Sequence, residues 1–424
     1  MTKRYKGLTT MEAEFAERVI IIGVKRQTVT EEQFHSSLNE LVSLSDTAGG
    51  EVIEKITQNR EKIHPATYLG EGKVEEIKQA AEELEADLII SNDELSPGQL
   101  RNLSAEIGVR IIDRSQLILD IFAQRAHTKE GKLQVELAQL EYMLPRLRGK
   151  GVELSRLGAG IGTRGPGETK LETDQRHIRN RIHEIKRRLQ LAVKQREQYR
   201  KRRKTNEVFQ IALVGYTNAG KSTIFNKLAN SDTLAENKLF ATLDPLTRQI
   251  ELPSGFKALL TDTVGFLQKL PTALIAAFRS TLEEASEADL IIHVVDGAHP
   301  DQETHQATVL KLLSELNADA IPRLTVYNKK DQFDIGLYPA ESPNLIMSAY
   351  DPEDIQKLRD KIEDILKEEW LFYKVELAPH EGKVMDQLER ETIVKQHEFA
   401  EESGCFIYEG YMKKDHPLNR LLKE

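Results

Sequence analysis

One cysteine in 424 residues, Cys405, leaves no partner for an internal disulfide and fits a reducing compartment. It lies in Ser403-Gly-Cys-Phe-Ile-Tyr408, which reads as a buried strand position rather than a reactive thiol. No run of 18 or more apolar residues is present, so no membrane-crossing helix is expected. The opening Met1-Thr-Lys-Arg-Tyr-Lys6 continues into polar sequence without the apolar stretch of a secretion signal. The expectation is a cytoplasmic chain with no integral membrane association. Hydrophobic residues make up 39% and charged residues 30%, a soluble composition, and the length allows two to four cores.

The net charge of −9 is unevenly spread. Residues 125–204 hold 22 Lys and Arg against 9 Asp and Glu, a net of +13 carried on an otherwise acidic chain. Such segregation is expected of a nucleic-acid contact surface. Within it, Lys132 to Arg148 has a helical stripe of Leu133, Leu137, Leu140, Leu144 and Leu147, with Pro145 ending or kinking the last turn. Glu168 to Tyr199 repeats the pattern through Leu171, Ile178, Ile182, Ile185, Leu189 and Val193. The two predict an antiparallel helical hairpin over 125–206, roughly 20–45 Å long at about 1.5 Å per residue.

The hairpin's loop, Leu157 to Gly167, contains Gly158, Gly160, Gly162, Arg164, Gly165, Pro166 and Gly167. It cannot form a compact core, but it can lay backbone close to a crowded surface. Flanked by Arg146, Arg148, Lys150 and Arg156, it reads best as a tip entering RNA. A second phosphate site for ATP and a plain solvated turn stay open. A dinucleotide site is disfavoured because no strand precedes the glycines. Lys201-Arg-Arg-Lys204 extends the backbone-contacting surface.

A different chemistry follows at Gly215, Tyr216, Thr217, Asn218, Ala219, Gly220, Lys221 and Ser222. This run matches G-x-x-x-x-G-K-[ST], between the apolar run Phe209 to Val214 and a helix-compatible segment. Its backbone N–H groups would cradle phosphates, Lys221 would reach the β- and γ-phosphates, and the Ser222 hydroxyl would hold Mg²⁺. Asp262, Thr263, Val264 and Gly265 then end a second apolar run. They supply a carboxylate near the metal and a backbone N–H able to sense the γ-phosphate. Asn328, Lys329, Lys330 and Asp331 end a third. A carboxylate there can accept from both N1–H and the 2-amino group of guanine, whereas adenine leaves it unpaired. Ser348, Ala349 and Tyr350 end a fourth, where the Ala349 N–H can meet guanine O6. Four such motifs in this order, each at a strand's carboxyl end, indicate a GTPase domain with a parallel-sheet core. The first switch candidate, Leu239 to Arg248, includes Phe240, Ala241, Thr242, Leu243 and Asp244. Thr242 is preferred over Thr247 as the second Mg²⁺ ligand.

Glutamine is missing where it matters most. Residue 266, which in many GTPases orients the attacking water, is phenylalanine, so intrinsic hydrolysis is expected to be slow. Asn218 is a candidate to hold K⁺ beside the phosphates; the alternative is that it only stabilises its loop. Arg248 and Arg279 are further charged candidates. Lys221, Thr242, Gly265 and Asn218 are the expected catalytic group.

The flanking regions read as small α/β domains. Over 1–124, strands are expected at Val19 to Val24, Ala86 to Ile90 and Val109 to Asp113. Helices are expected at Glu31 to Leu44, at Lys73 to Leu84 and from Ser96-Pro97 onward. Asp93 and Asp113 are read as structural. The GTPase domain spans 207–370 and closes with a helix at Asp351 to Glu369; His293 is read as a satisfied core residue. Over 371–424, strands at Phe372 to Leu377 and Phe406 to Met412 should surround a helix from Lys383 to Glu402.

This order of elements resembles the HflX family of ribosome-associated GTPases. The resemblance rests on Gly-Ala-Gly-Ile-Gly-Thr-Arg-Gly-Pro-Gly-Glu168, Gly-Tyr-Thr-Asn-Ala-Gly-Lys-Ser222, Phe-Ala-Thr-Leu-Asp244 and Asp-Thr-Val-Gly-Phe266. It covers nearly the whole chain; only the part after 370 lacks a diagnostic motif. It implies binding to the large ribosomal subunit, with the hairpin tip at rRNA near the peptidyl-transferase centre; a monomer with no role for DNA is expected. It further implies GTP-dependent splitting or rescue of stalled ribosomes under stress, with a role in subunit biogenesis left open. The rival readings are an RNA-binding GTPase of RNA processing or modification, and a second ATP-dependent RNA-remodelling activity in the N-terminal part.

Overall fold

The computed structural model describes residues 16–147, 170–205, 208–230, 240, 245–267, 285–333, 342–401, 403–414 and 416–421. It divides into two compact units, Met1–Ile121 and Phe122–Glu424.

The first unit is a four-stranded parallel sheet covered by helices. Its strands are β1 (Glu17–Arg26), β2 (Gly50–Arg60), β3 (Leu88–Ser91) and β4 (Arg110–Asp113), in the order β2-β1-β3-β4. Helices α1 (Glu31–Ala48), α2 (Glu71–Glu83) and α3 (Pro97–Ile107) alternate with them, and α4 (Arg114–Arg125) runs on across the division. The β1 run Val19 to Ile22 is wholly buried, as a parallel strand covered on both faces must be. Capping boxes fix the helix starts: Thr30 with Gln33 for α1, and Ser96 with Gln99 for α3. Asp113 accepts from the Leu95 and Gln116 N–H groups, and Asp93 accepts from the Tyr68 hydroxyl at 2.7 Å. Both therefore do structural work. Strand β2, absent from the expectations above, is a polar edge strand whose side chains alternate without an apolar run.

The second unit opens with the hairpin. Helix α5 (Lys129–Arg146) ends one residue past Pro145, and α6 (Lys170–Thr205) is about 54 Å long at 1.5 Å per residue. Leu137, Ile182 and Ile185 form its buried seam, extended by Leu133, Leu140, Leu144, Ile178 and Leu189. Arg181 grips Glu136 through two hydrogen bonds of 2.6 and 2.8 Å. A narrow apolar seam leaves Arg176, Arg179, Lys186, Arg187, Arg188 and Lys194 of α6 exposed to water.

A six-stranded sheet follows: β5 (Gln210–Gly215), β6 (Leu246–Glu251), β7 (Lys257–Asp262), β8 (Leu290–Asp296), β9 (Arg323–Asn328) and β10 (Asn344–Ile346). Its order is β10-β9-β8-β5-β7-β6, parallel except for the β6–β7 pair. Helices α7 (Lys221–Ala229), α8 (Gln302–Glu315) and α9 (Pro352–Glu369) flank it. His293 on β8 is 1% exposed, and burial pulls its imidazole down to about 3, with Arg323 and Lys221 adding to the shift. It is a core residue as expected, although Nδ1 has no hydrogen-bond partner among the described residues.

The last segment is an antiparallel sheet of β11 (Leu371–Leu377), β12 (Ile393–Ala400) and β13 (Cys405–Met412), ordered β11-β13-β12, with α10 (Gly382–Glu391) packed on it. The expected helix to Glu402 stops eleven residues early. Thr392, Ile393 and Val394 carry β-branched side chains suited to a strand, and Ile393 is fully buried in the core of the larger sheet. Cys405 lies on β13 but is half-buried rather than buried.

Candidate nucleotide site

The site gathers at the carboxyl ends of β5, β7, β9 and β10. From β5 the chain turns at Gly215 into the loop 216–220 and enters α7 at Lys221. Gly220 has φ +96°, and a Cβ there would collide with the Asn328 amide, so the loop's close approach to β9 demands glycine. Asn328 completes that junction, its Nδ2 donating to the Ala219 carbonyl at 2.9 Å and its Oδ1 accepting from the Ala349 N–H at 2.9 Å. One buried amide thus joins three of the four motifs.

The Lys221 ammonium is buried and donates to the Gly215 and Tyr216 carbonyls at 3.0 and 2.8 Å. Burial lowers it from 10.5 to about 8, with Asp262 acting in the opposite direction. Ser222 Oγ donates to Asp262 Oδ2 at 2.8 Å. Thr263 Oγ1 is committed to the Leu213 carbonyl, and Val264 is buried. Gly265 sits so close that a Cβ would meet Thr217 Cγ2 at 2.8 Å and Lys221 Nζ at 3.1 Å. Phe266 is 1% exposed. Its N–H donates to the Gly215 carbonyl at 3.2 Å, and its carbonyl accepts from the Thr217 N–H at 2.8 Å.

At the other end, Lys329 adopts φ +66° and donates to Asp296 at 2.7 Å. Asp331 is exposed and accepts from the Ser348 hydroxyl at 2.6 Å, the main cause of its carboxyl lying below the usual range. Ala349 is buried and Tyr350 is 73% exposed. Lys330 reaches Asp354 at 3.3 Å. Behind the phosphate loop, the Tyr216 ring stacks on His305 of α8 at 3.7 Å and 6°.

Several expected residues fall elsewhere. Asn218 is exposed at φ +60°, and its side chain makes no hydrogen bond among the described residues. Phe240 is buried with its ring 4.5 Å from that of Phe122, so residue 240 can meet a ligand only through its backbone. Ala241, Thr242, Leu243 and Asp244 lie outside the described residues, as does Arg279. Thr247 pairs with the Thr261 hydroxyl at 3.0 Å. The same boundary excludes the tip, with Arg148, Lys150, Arg156, Gly158, Gly160, Gly162, Arg164, Gly165 and Gly167. Arg146 is described, and its guanidinium lies 3.4 Å over the Tyr142 ring. Sequence reasoning missed Asp296 and Asp354. Asp296 ends the apolar run of β8, a position that signals a site in such sheets. Asp354, in the acidic first turn of α9, carries no signal beyond favourable helix-dipole placement.

The run Gly215 to Ser222, Asp262 and Asp331 stand together at strand ends of one mostly parallel sheet, the arrangement of a P-loop GTPase core. Three family models match consecutive stretches: "GTP-binding GTPase N-terminal" over 35–123, "GTP-binding GTPase Middle Region" over 125–203 and "50S ribosome-binding GTPase" over 210–329. The GTPase HflX of Alkalihalophilus pseudofirmus is 54% identical over 411 residues, 96% of each chain. That of Escherichia coli is 42% identical over 381 residues, 88% of this chain and 89% of the relative. Among solved structures, a GTP-binding protein from the archaeon Sulfolobus solfataricus in complex with GDP covers 82% of this chain and 98% of its own. Its identity is 25% and the TM-score 0.45. No helix among the described residues is long and apolar enough to cross a membrane.

Proposed function

The chain belongs to the HflX family of GTPases, and from that premise we propose that it is a ribosome-associated factor that uses GTP to act on the large ribosomal subunit. The observation that carries this reading is the pairing, in one chain, of a guanine-type nucleotide site with a hairpin region of net charge +13. The description of the matched family as ribosome-binding supports the choice of partner. Phosphate contacts supply most protein–RNA affinity, and the exposed basic face of α6 is suited to them.

In this reading the loop 215–222 cradles the phosphates, with Lys221 leaving its own carbonyls for the β- and γ-oxygens. Asp331 accepts from guanine N1–H and the 2-amino group while Ser348 holds its orientation. The Ala349 N–H meets O6. Ser222 and Asp262 present hard oxygens 2.8 Å apart, a donor set that fits Mg²⁺, with Thr242 as the further ligand. When bound, that ion would offset charge on the β- and γ-phosphates. The Gly265 N–H senses the γ-phosphate. The Asn218 side chain, with no hydrogen-bond partner among the described residues, favours the K⁺ role over loop stabilisation. Residues 157–167, flanked by arginines, enter the rRNA near the peptidyl-transferase centre, and the outcome is splitting or rescue of stalled ribosomes.

Co-sedimentation with isolated large subunits tests the proposal. Pelleting should be strong with a non-hydrolysable GTP analogue and weak with GDP. Equal, weak pelleting in both states would remove the ribosome from the account.

A further inference from the structure

We infer that Asp354, on the first turn of α9, is a positioning residue that sets guanine selectivity by holding the two base-side loops in register. The inference rests on the reading of Asp331 as the guanine carboxylate. Asp354 is 1% exposed, although it lies at a helix N-terminus where a carboxylate ordinarily faces water. Its Oδ2 accepts from the Ser348 N–H at 3.0 Å and from Lys330 Nζ at 3.3 Å, and its Oδ1 accepts from Lys357 Nζ at 3.0 Å.

Two of those partners belong to different loops, and Lys357 lies on α9 itself. Lys330 stands between Asn328 and Asp331 in the turn after β9, whereas Ser348 follows β10. Ser348 turns its hydroxyl to Asp331 while its own N–H is held by Asp354. The chain of bonds therefore runs from Asp354 through Ser348 to the carboxylate that faces the base. Burial opposes ionisation of Asp354, yet the Ser348 N–H and the two lysines keep its carboxyl below the usual range. An anion held this way is a fixed reference point rather than a surface charge. Asp351, three residues earlier, already caps α9 through the Glu353 N–H, so Asp354 is not needed for that task.

The test compares GTP with inosine triphosphate, which lacks only the 2-amino group. The ratio of their dissociation constants reads how well Asp331 meets both guanine donors. Asp354→Asn keeps the volume but loses both lysine pairs. Its preference for GTP over inosine triphosphate should fall by about tenfold, while single-turnover hydrolysis at saturating GTP stays within about twofold. Lys357→Met, on the exposed side of α9, removes one partner without disturbing the core and should lower the preference by about two- to threefold. A wild-type preference in either variant, with the melting temperature retained, overturns the inference. So does a matching fall in the hydrolysis rate, which would mark a general loss of structure. Asp331→Asn separates the two levels: it should weaken GTP and favour xanthosine triphosphate. Unchanged GTP affinity there would overturn the base-site reading and this inference together.

Discussion

Lys221 donates to the carbonyl of Tyr216 at 2.8 Å, so without nucleotide the lysine closes its own loop. The contact has a pH signature. Burial brings the ammonium from 10.5 to about 8, against the pull of Asp262. Between about pH 8 and 10.5 the unfolded chain therefore holds more protons than the folded one, and the stability of the nucleotide-free protein rises with pH across that window. Polyphosphate favours the charged form, so nucleotide binding should take up protons between about pH 8 and 10.5 and weaken as the pH rises. Calorimetry of GDP binding in two buffers of different ionisation enthalpy measures this directly. No uptake anywhere between about pH 8 and 10.5 would place the lysine elsewhere.

Phe266 gives the second expectation. Its ring is in the core and its backbone is bonded on both sides to the phosphate loop. A glutamine side chain would inherit that inward direction and meet no water. Phe266→Gln should hydrolyse GTP no faster than wild type in the absence of ribosomes, and should melt lower because it buries an amide in place of a ring. Single-turnover rates and melting curves check both parts. A tenfold gain in rate would show that position 266 reaches the attacking water.

The hairpin gives the third. Replacing 157–167 with a short Gly-Ser turn should leave GDP affinity unchanged, because the nucleotide site is built from residues after 209. Ribosome splitting, followed by light scattering, should be lost. Binding to large subunits should weaken steeply with salt, and each lost Lys or Arg contact should reduce the log–log slope by about 0.7–0.9. Splitting retained without the loop would reject Gly158 to Gly167 as the working tip.

What could be read from the sequence follows from where short-range chemistry decides structure. The phosphate loop, Asp262, Asn328 and Ala349 converge because each ends an apolar run, and strand ends of a parallel sheet must meet. Strand β2 has no apolar run to announce it, since an edge strand is buried on few sides. Strand β12 reads as helix from the sequence because its polar residues fit either period; the burial of Ile393 against a distant core makes it a strand. Asp354 was hidden for a related reason. An acidic residue in a first helical turn looks the same whether it faces water or a lysine and a backbone N–H from other segments.

Phe240 is held by Phe122, and Phe122 precedes the first residue of α5, Lys129, by only seven positions. Thr242, proposed to answer to the metal, stands two residues beyond Phe240. The start of the first switch candidate thus rests on the segment that leads into the helical hairpin.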